Sequence, residues 1–238
     1  MFGVQVLMGA GAINDPSFSS VTLLLYGNGA SGSKAIIDSS SIPKTITAFG
    51  DAQISSAQSK FGATSLALDG SGDYLTIPYT TANFRWWDTA FTVESWIYVN
   101  NFTSAESNQK PNLIGNMAPG NLTNYWSFGT DSLKRVHFYY YTGSINVFVT
   151  SASNLLSLST WHHIAMTHLS GTIRLFLDGV LVQTATVATA VDGAAVQLAL
   201  GVSNSVSFNG YISNLRITKG VARYTSAFTP PISPFPGF

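Results

Sequence analysis

The chain has 238 residues, of which 45% are hydrophobic and only 9% are charged, and its eleven Lys and Arg balance its eleven Asp and Glu. This composition argues against a disordered chain, and the lack of cysteine excludes thiolate chemistry and cysteine zinc sites. The cations are scattered, with Lys134-Arg135 as their longest cluster, which argues against nucleic acid as a partner because phosphate binding needs clustered cations. A surface with so little charge tends to associate, so we expect a chain that packs against copies of itself or other subunits.

The N-terminal residues 1–14 are apolar and rich in glycine. They lack the basic start of a signal peptide, and no apolar run approaches the roughly 20 residues of a membrane-spanning helix. We therefore expect synthesis in the cytoplasm without insertion into a membrane. The expected organisation is an N-terminal arm over 1–20, a β-sandwich over 21–225 and a Pro/Phe-rich tail over 226–238.

Short apolar or alternating runs, separated by turn residues, predict strands along most of the chain, and helical periodicity is nearly absent. Glycine-containing turns at 142–144, 170–171 and 178–179 predict hairpins between successive strands. In chain order, the predicted strands cover 21–26, 64–69, 74–77, 91–99, 136–141, 145–150, 162–169, 172–177, 180–187, 196–201 and 211–218. The pattern favours an all-β fold, a two-sheet antiparallel β-sandwich.

The segment 91–99 is the clearest predicted strand, and its residues alternate between two faces. The predicted core face carries Phe91, Val93, Ser95, Ile97 and Val99. The opposite face is semi-polar and aromatic and carries Thr92, Glu94, Trp96 and Tyr98. A second tryptophan, Trp161, opens a later strand and is large enough to plug the space between the two sheets.

Five sequence blocks carry a resemblance to a known family. They are SLALDGSGDYL from Ser65, FTVESWI from Phe91, WHHIA from Trp161, RLFLDGV from Arg174 and GYISNLRITKGVARY from Gly210. Their order and spacing resemble the concanavalin A-like lectin/glucanase superfamily, specifically its laminin-G-type domain, over about residues 20–230. The resemblance implies a jelly-roll sandwich with extended N- and C-terminal arms.

The C-terminal part is similar to a form common in bacteriophage structural proteins, including those of cyanophages. This likeness lies in the stretch from Arg216 to Thr225 and in Phe228-Thr-Pro-Pro. It implies a virion structural protein, either a capsid decoration (cement) or a tail subunit, made in the host cytoplasm and located in the virion. The implied partners are the protein itself, as a homo-oligomer such as a trimer, and other virion subunits such as the major capsid protein.

The terminal segments are the expected means of assembly. The candidate assembly-arm residues are Phe2, Phe18, Phe228, Phe235 and Phe238. The Pro/Phe-rich tail either lies on its own sandwich or docks on a neighbouring subunit.

No catalytic site is expected. Enzymes of the superfamily that cut β-glucans carry two glutamates with an aspartate between them on one strand face, because retaining hydrolysis needs paired carboxyl groups. Glu94 shares its face with Thr92, Trp96 and Tyr98, and the only other glutamate is Glu106. We therefore interpret Glu94 as a hydrogen-bonded structural residue and the protein as non-enzymatic.

The four histidines are His137, His162, His163 and His168. His162 and His168 are about 20 Å apart along a strand, too far to share one metal ion. The chain also lacks a Gly-x-Ser-x-Gly nucleophile motif. We interpret all four histidines as structural.

No cofactor or metal is expected, and the resemblance leaves calcium as the alternative, since some laminin-G-type domains bind it. Its weak candidate ligands are Asp69, Asp73 and Asp131. Calcium prefers six to eight oxygens, usually with more than one carboxylate, and Asp73 is as readily explained as a turn-forming residue.

Aromatic side chains give the best argument for a binding surface, since sugars present C–H faces that stack on Trp and Tyr. The candidates are His137, Tyr139 and Tyr141 on one strand face, Trp96 and Tyr98 on another, and the connecting pair Trp86 and Trp87. If the two strands are adjacent, the first five form one platform. The alternative to the virion structural role is therefore a carbohydrate-binding adhesion module for host or environmental glycans, although the same aromatics fit a protein interface.

Overall fold

The computed structural model describes residues 14–85, 88–102, 112–116, 125–141, 146–187, 197–203 and 206–237. Within them, the helical pieces are a 3-10 turn at Phe18–Ser20 and the short helix α1 at Thr81–Phe84. Neither is long or apolar enough to cross a membrane. The strands are β1 (Val21–Leu25), β2 (Thr47–Phe49), β3 (Gln53–Ser55), β4 (Ser65–Asp69), β5 (Tyr74–Pro78), β6 (Phe91–Asn101), β7 (Asn112–Gly115), β8 (Tyr125–Thr130), β9 (Val136–Tyr141), β10 (Asn146–Thr150), β11 (Trp161–Leu169), β12 (Thr172–Leu177), β13 (Val180–Thr186), β14 (Gln197–Leu200), β15 (Val202–Ser203), β16 (Val206–Ser207) and β17 (Asn209–Lys219).

The strands form two antiparallel sheets that pack face to face. Sheet A has the order β13-β12-β11-β6-β17-β4-β3, with β1 also paired to β17. Sheet B has the order β10-β9-β8-β7-β14-β5-β2, and β15 and β16 form a small separate hairpin. The prediction of an all-β, two-sheet antiparallel sandwich is confirmed.

The long strands β6 and β17 form the centre of sheet A. Their register places Glu94 opposite Arg216 and Tyr98 opposite Tyr211. Along its other edge, β17 pairs first with β4 and then with β1. The change of partner falls at a bulge that contains Asn214 in the left-handed region, with φ of +53°.

The core lies between the sheets and takes every second residue of the central strands. Phe91, Val93, Ile97 and Val99 are at most 2% exposed and pack inside, as the alternation predicted. Phe91 meets Trp126 of sheet B, with 6.4 Å between the ring centroids.

The prediction that Trp161 plugs the space between the sheets is wrong. On β11, Ile164 and Met166 point into the core, so the alternation of the strand turns Trp161 to the outer face of sheet A. There its ring lies 5.6 Å from that of Tyr98. Among the described residues, the tryptophan in the core between the sheets is Trp126, on a strand that the sequence pattern did not reveal.

The C-terminal segment that follows β17 runs across the outer face of sheet A. Its hydrogen bonds include those from Thr92 Oγ1 to the Val221 carbonyl (2.8 Å), from Thr167 Oγ1 to the Tyr224 carbonyl (2.9 Å) and from the Phe228 N–H to the Gly179 carbonyl (2.9 Å). Of the two alternatives for the tail, the structure therefore has the first, in which residues 226–237 lie on their own sandwich.

The contact between Gly179 and Phe228 gives a test of this docking. Gly179 has φ of +80°, and a Cβ there would collide with the Phe228 carbonyl oxygen, whereas Gly62 has φ of +71° with open space around it. We expect Gly62→Ala to lower the free energy of unfolding by about 1 kcal/mol, the cost of a left-handed alanine. We expect Gly179→Ala to lower it by about 3 kcal/mol, because the tail must also move. Urea denaturation measures both, and equal losses would mean that the tail does not pack on the β12–β13 turn.

Candidate functional site

Glu94 lies on the outer face of sheet A, fully buried beneath the tail. Its Oε1 accepts hydrogen bonds from Arg216 Nε at 2.9 Å and Nη2 at 2.7 Å. Its Oε2 accepts one from the Tyr224 hydroxyl at 2.8 Å and lies 3.4 Å from His163 Nε2. Both carboxylate oxygens are therefore occupied, and Glu94 is the hydrogen-bonded structural residue that the sequence predicted.

Asp15 extends this network to the segment before β1. It pairs with Arg216 Nη1 at 3.1 Å and with Arg223 Nη2 at 2.6 Å. Asp15 and Arg223 are 208 residues apart in the sequence, so their ion pair joins the two ends of the described chain. The Arg216 guanidinium also lies 4.0 Å from the ring centroid of Phe235, so this aromatic ring of the tail packs on the network.

Charge pairing sets the protonation states in this network. Burial alone would raise the pKa of Glu94, but the charge of Arg216 and the contacts with His163 outweigh it and lower the pKa to about 2. Burial and the charge of Glu94 raise the pKa of Tyr224. Glu94 is therefore a carboxylate and Tyr224 a phenol donor at neutral pH.

Three of the five candidate assembly-arm residues lie in the described part of the chain, and all three contact this chain itself. Phe18 and Phe235 share a small apolar cluster with β1. Phe228 stacks on Tyr224. Phe2 and Phe238 fall outside the described residues. A role in assembly stays a prediction for all five.

Trp96 is not available to stack on a sugar, which corrects its prediction as a glycan-stacking residue. Its side chain is buried, with 7% of its surface exposed. The Lys60 ammonium lies 3.7 Å from the Trp96 ring centroid, and the Phe61 ring meets it edge-on at 6.0 Å. The loop before β4 therefore covers the ring.

His137 is likewise fully buried and cannot stack on a ligand. The idea of one merged platform is also wrong, because β6 lies in sheet A and β9 lies in sheet B. The outer faces of the two sheets point in opposite directions. Trp86 and Trp87 fall outside the described residues.

The outer face of sheet B keeps two of the predicted aromatics, Tyr139 and Tyr141, both half-buried. The Tyr125 ring lies 5.6 Å from each of them, and the Phe148 ring lies 5.9 Å from Tyr139. We call these four side chains the sheet B aromatic face. Tyr125 and Phe148 were not identified from the sequence, because β8 was not predicted and Phe148 looked like an ordinary strand residue.

Tyr98 belongs to a row of cross-strand neighbours on the outer face of sheet A. In strand order, the row consists of Gln53, Ala67, Tyr211, Tyr98 and Trp161. The three aromatic side chains are half-buried. The ring centroid of Tyr98 lies 5.8 Å from that of Tyr211 and 5.6 Å from that of Trp161.

A polar cavity of about 410 Å³ adjoins this row. It opens where the small side chain of Ala67 stands between Gln53 and Tyr211. Its lining consists of Asp51, Gln53, Ala67, Leu68, Asp69, Asp73, Asn100, Asn209 and Tyr211. Asn100 Nδ2 donates a hydrogen bond to Asn209 Oδ1 at 3.1 Å. We call the row and the cavity together the sheet A groove.

Of the three calcium candidates, Asp69 and Asp73 line the same cavity, whereas Asp131 lies apart from them. The buried Asp73 carboxylate accepts hydrogen bonds from the backbone N–H groups of Asp51 and Asp69, as expected of a turn-forming residue. Asp131 lies next to sheet B, where Arg135 Nη2 is 2.6 Å from its carboxylate. Within the described ranges, no three His, Asp or Glu side chains form a group that could hold a metal ion.

His162 is part of a Ser–His–Asp chain of hydrogen bonds. Its Nδ1 lies 2.7 Å from Asp178 Oδ2, and its Nε2 lies 2.9 Å from Ser157 Oγ. The backbone N–H of Ser157 also donates to Nε2, at 3.2 Å, so Nε2 is the acceptor and Nδ1 carries the proton. The other Asp178 oxygen accepts the His163 N–H at 2.8 Å. Because backbone groups at both ends share this chain, it serves as a clamp between the loop before β11 and the β12–β13 turn.

The two-sheet antiparallel sandwich matches the jelly-roll fold of concanavalin A-like domains. The chain belongs to the Laminin_G_3 family, described as "Concanavalin A-like lectin/glucanases superfamily", whose family model matches residues 69–223. A search of curated protein sequences found no match.

Several solved structures are similar to this chain. A structure of botulinum neurotoxin type C, from a study of cell entry through two ganglioside molecules, has a TM-score of 0.64 at 15% identity and covers 87% of this chain and 49% of its own. Domain 4 of AbnA, an extracellular arabinanase from Geobacillus stearothermophilus, was solved in complex with arabinotriose. It has a TM-score of 0.59 at 17% identity, and the match covers 84% of this chain and 93% of the arabinanase domain. The binding domain of botulinum neurotoxin DC in complex with SialylT has a TM-score of 0.61 at 16% identity, and the match covers 85% of this chain and 48% of the toxin structure.

The chain thus spans about half the length of the two toxin structures and nearly all of the arabinanase domain. Identities this low establish the fold alone. The similar structures are mostly binding domains, and one is a domain of a glycoside hydrolase.

The Glu94 network predicts how stability depends on pH. The folded-state pKa of Glu94, about 2, lies below its ordinary value of 4.5. The carboxylate therefore stabilises the fold above about pH 4.5, and this stabilisation is lost as the pH falls towards 2. We expect Glu94→Gln to leave Arg216 partly unpaired and so to lower the free energy of unfolding at pH 7 by about 3 kcal/mol. Between pH 4.5 and pH 2, the free energy of unfolding of this variant should depend less on pH than that of the parent.

Urea denaturation between pH 2 and pH 7 measures both effects. Asp88→Asn is the matched control, because this carboxylate is 57% exposed beside Arg85 and its loss costs less than about 1 kcal/mol. A Glu94→Gln variant as stable as the parent at pH 7 would contradict the role given to the ion pair.

Proposed function

We propose that this protein is a non-catalytic carbohydrate-binding module and that the sheet A groove is its glycan site. The observation that carries this proposal is the position of three half-exposed aromatic side chains beside an amide-lined cavity. Ligand sites combine apolar contact area with a few polar groups that fix orientation. The groove has both parts in one place.

The two parts of the groove match the two kinds of surface on a sugar. Tyr98, Trp161 and Tyr211 offer contact to the apolar C–H face of a pyranose or furanose ring. The Tyr98 ring is tilted by 60° to Trp161 and by 76° to Tyr211. One sugar ring therefore lies on one aromatic face while the neighbouring rings form walls around it.

The amides supply the hydrogen bonds. Gln53, Asn100 and Asn209 each carry a carbonyl oxygen and an NH₂ group, so they both accept from and donate to sugar hydroxyls. The hydrogen bond between Asn100 and Asn209 holds their side chains in a defined orientation. A site held in this way loses little side-chain entropy when a ligand binds.

The covered part of the same sheet face supports a non-catalytic role. Glu94 shares the outer face of β6 with Tyr98, yet it is fully buried and its oxygens are held by Arg216 and Tyr224. A glycosidase acid must reach the glycosidic oxygen, and the nucleophile or base needs a second carboxyl group nearby. Glu94 is not placed for either task.

The similar structures are consistent with sugar binding. The arabinanase domain was solved with arabinotriose, and one toxin binding domain was solved with SialylT. These ligands belong to those proteins, and for this chain they serve as first probes.

A glycan-binding module also fits a place on a virion, where it would adhere to a host or environmental polysaccharide. We retain the virion location, the phage origin and a homo-oligomer as proposals from the low charge and from the C-terminal sequence. Phe235 is buried against its own chain whereas Ile232 is 91% exposed, so both termini stay candidates for assembly, and the N-terminal residues are the first to test.

Light scattering after size exclusion tests this arm. A chain that begins at Asn14 keeps Asp15 and the whole tail, so its sandwich stays intact. We expect the full-length protein to be a defined oligomer and the trimmed protein to be a monomer. The arm hypothesis is wrong if both forms have the mass of a monomer.

A glycan array that includes arabinotriose, followed by calorimetry on its best ligands, tests the groove. We expect Trp161→Ala and Tyr211→Ala each to weaken binding by about 2 kcal/mol, or roughly thirtyfold, as truncation of a central aromatic contact does. Tyr139→Ala, on the sheet B aromatic face, is the matched control and should bind like the parent. Loss of binding in the Tyr139 variant alone would move the site to sheet B, and a parent that binds no glycan would overturn the proposed function.

A further inference from the structure

We infer that the sheet A groove selects neutral or cationic glycans and rejects acidic ones, with Asp51 and Asp69 as the specificity-determining residues. This inference rests on the proposed glycan-binding function of the groove. It adds the chemical class of the ligand, which follows from the charges around the cavity.

Three carboxyl groups surround the polar end of the groove. Asp51 and Asp69 are exposed at its rim, and Asp73 is buried at its wall. The backbone N–H of Asp51 donates to one Asp73 oxygen, and that of Asp69 donates to the other. The two turns are thus tied together around one carboxyl group, which fixes all three acidic residues at the same end of the groove.

The charges of these residues act on one another. Burial raises the pKa of Asp73, and the charges of Asp69 and Asp51 add to the rise, against the two backbone hydrogen bonds. Asp73 therefore senses the negative potential that its neighbours create. Even with Asp73 neutral, Asp51 and Asp69 leave two negative charges at the rim.

The lysine ammonium near the cavity carries less charge than the two carboxylates of Asp51 and Asp69 together. Lys34 Nζ lies 3.4 Å from Asp51 Oδ1, with both side chains more than half exposed, so this ammonium offsets part of the charge of Asp51. The same ammonium also donates a hydrogen bond to the Gly50 carbonyl at 2.6 Å. The ammonium of Lys60, on the same face of the sheet, lies 3.7 Å from the Trp96 ring centroid, and Lys60 is not among the residues that line the cavity. One exposed ammonium against two exposed carboxylates leaves the rim negative.

The remaining polar groups suit hydroxyl or ammonium groups of a sugar. Carboxylates accept hydrogen bonds and cannot donate them, so Asp51 and Asp69 attract hydroxyl or ammonium donors. A uronic acid or a sialic acid would bring a third negative charge to the same place. Field lines concentrate in a concave site, so this repulsion is stronger than on a flat surface.

The experiment compares three trisaccharides of one backbone: cellotriose, its glucosamine counterpart from chitosan, and its C6-carboxylated counterpart. We expect the parent to bind the neutral and amino trimers at least tenfold more tightly than the carboxylated trimer. The preference should shrink at 1 M salt, where charges are screened within about 3 Å.

The variant Asp51→Asn/Asp69→Asn keeps the size and one acceptor oxygen of each side chain, so the quantity compared with the parent is the ratio of its affinities for cellotriose and for the carboxylated trimer. Its discrimination against the carboxylated trimer should fall to less than threefold. Asp88→Asn is the control for a lost surface charge elsewhere and should discriminate like the parent.

The outcomes separate the two proposals. If the parent binds all three trimers equally, or if the double variant discriminates as well as the parent, the charge selection is wrong while glycan binding stands. If the parent binds none of the three trimers and no glycan on the array, the glycan-binding function of the groove fails, and the inference fails with it.

Discussion

The buried ion pair between Glu94 and Arg216 is the constraint on which the arrangement of sheet A depends. A charge without water is tolerated only when a partner and hydrogen bonds replace the lost solvation. Here the partners come from far apart in the chain: β6 supplies Glu94, β17 supplies Arg216, and Tyr224 comes from the tail. The remaining guanidinium nitrogen of Arg216, Nη1, pairs with the Asp15 carboxylate. The tail is therefore held by the polar network that it covers as well as by its aromatic side chains.

The same constraint divides one sheet face into two parts with different roles. Glu94, Trp96 and Tyr98 alternate along β6 and point to the same side, yet the first two are buried and the third is half-exposed. The tail and the loop that carries Lys60 cover the first part and leave the groove open beyond it. Periodicity assigns a residue to a face, whereas the segments packed on that face decide whether a ligand can reach it.

The distinction between the face that a residue occupies and the segments that cover that face explains which features the sequence could predict. The alternation in 91–99, the hairpin turns and the solitary glutamate were enough to predict a sandwich, its core face and a structural Glu94. They could not show that β6 and β9 lie in opposite sheets, because strand order depends on pairings between distant segments. Trp161 and Tyr211 were missed as groove residues for the same reason: their neighbour Tyr98 lies on a strand far away in the sequence.

The ion pair between Asp15 and Arg223 has a consequence for how the protein is made. During synthesis on the ribosome, Asp15 and Glu94 leave the exit tunnel long before either of their arginine partners is translated. Central strand β17 follows every other strand of sheet A in the described chain, so the earlier strands lack their central neighbour until β17 has emerged. Contacts over such sequence separations slow folding. The nascent chain therefore carries unpaired acidic residues and open strand edges until Arg216 and Arg223 have emerged, which is the period in which it most needs protection from aggregation.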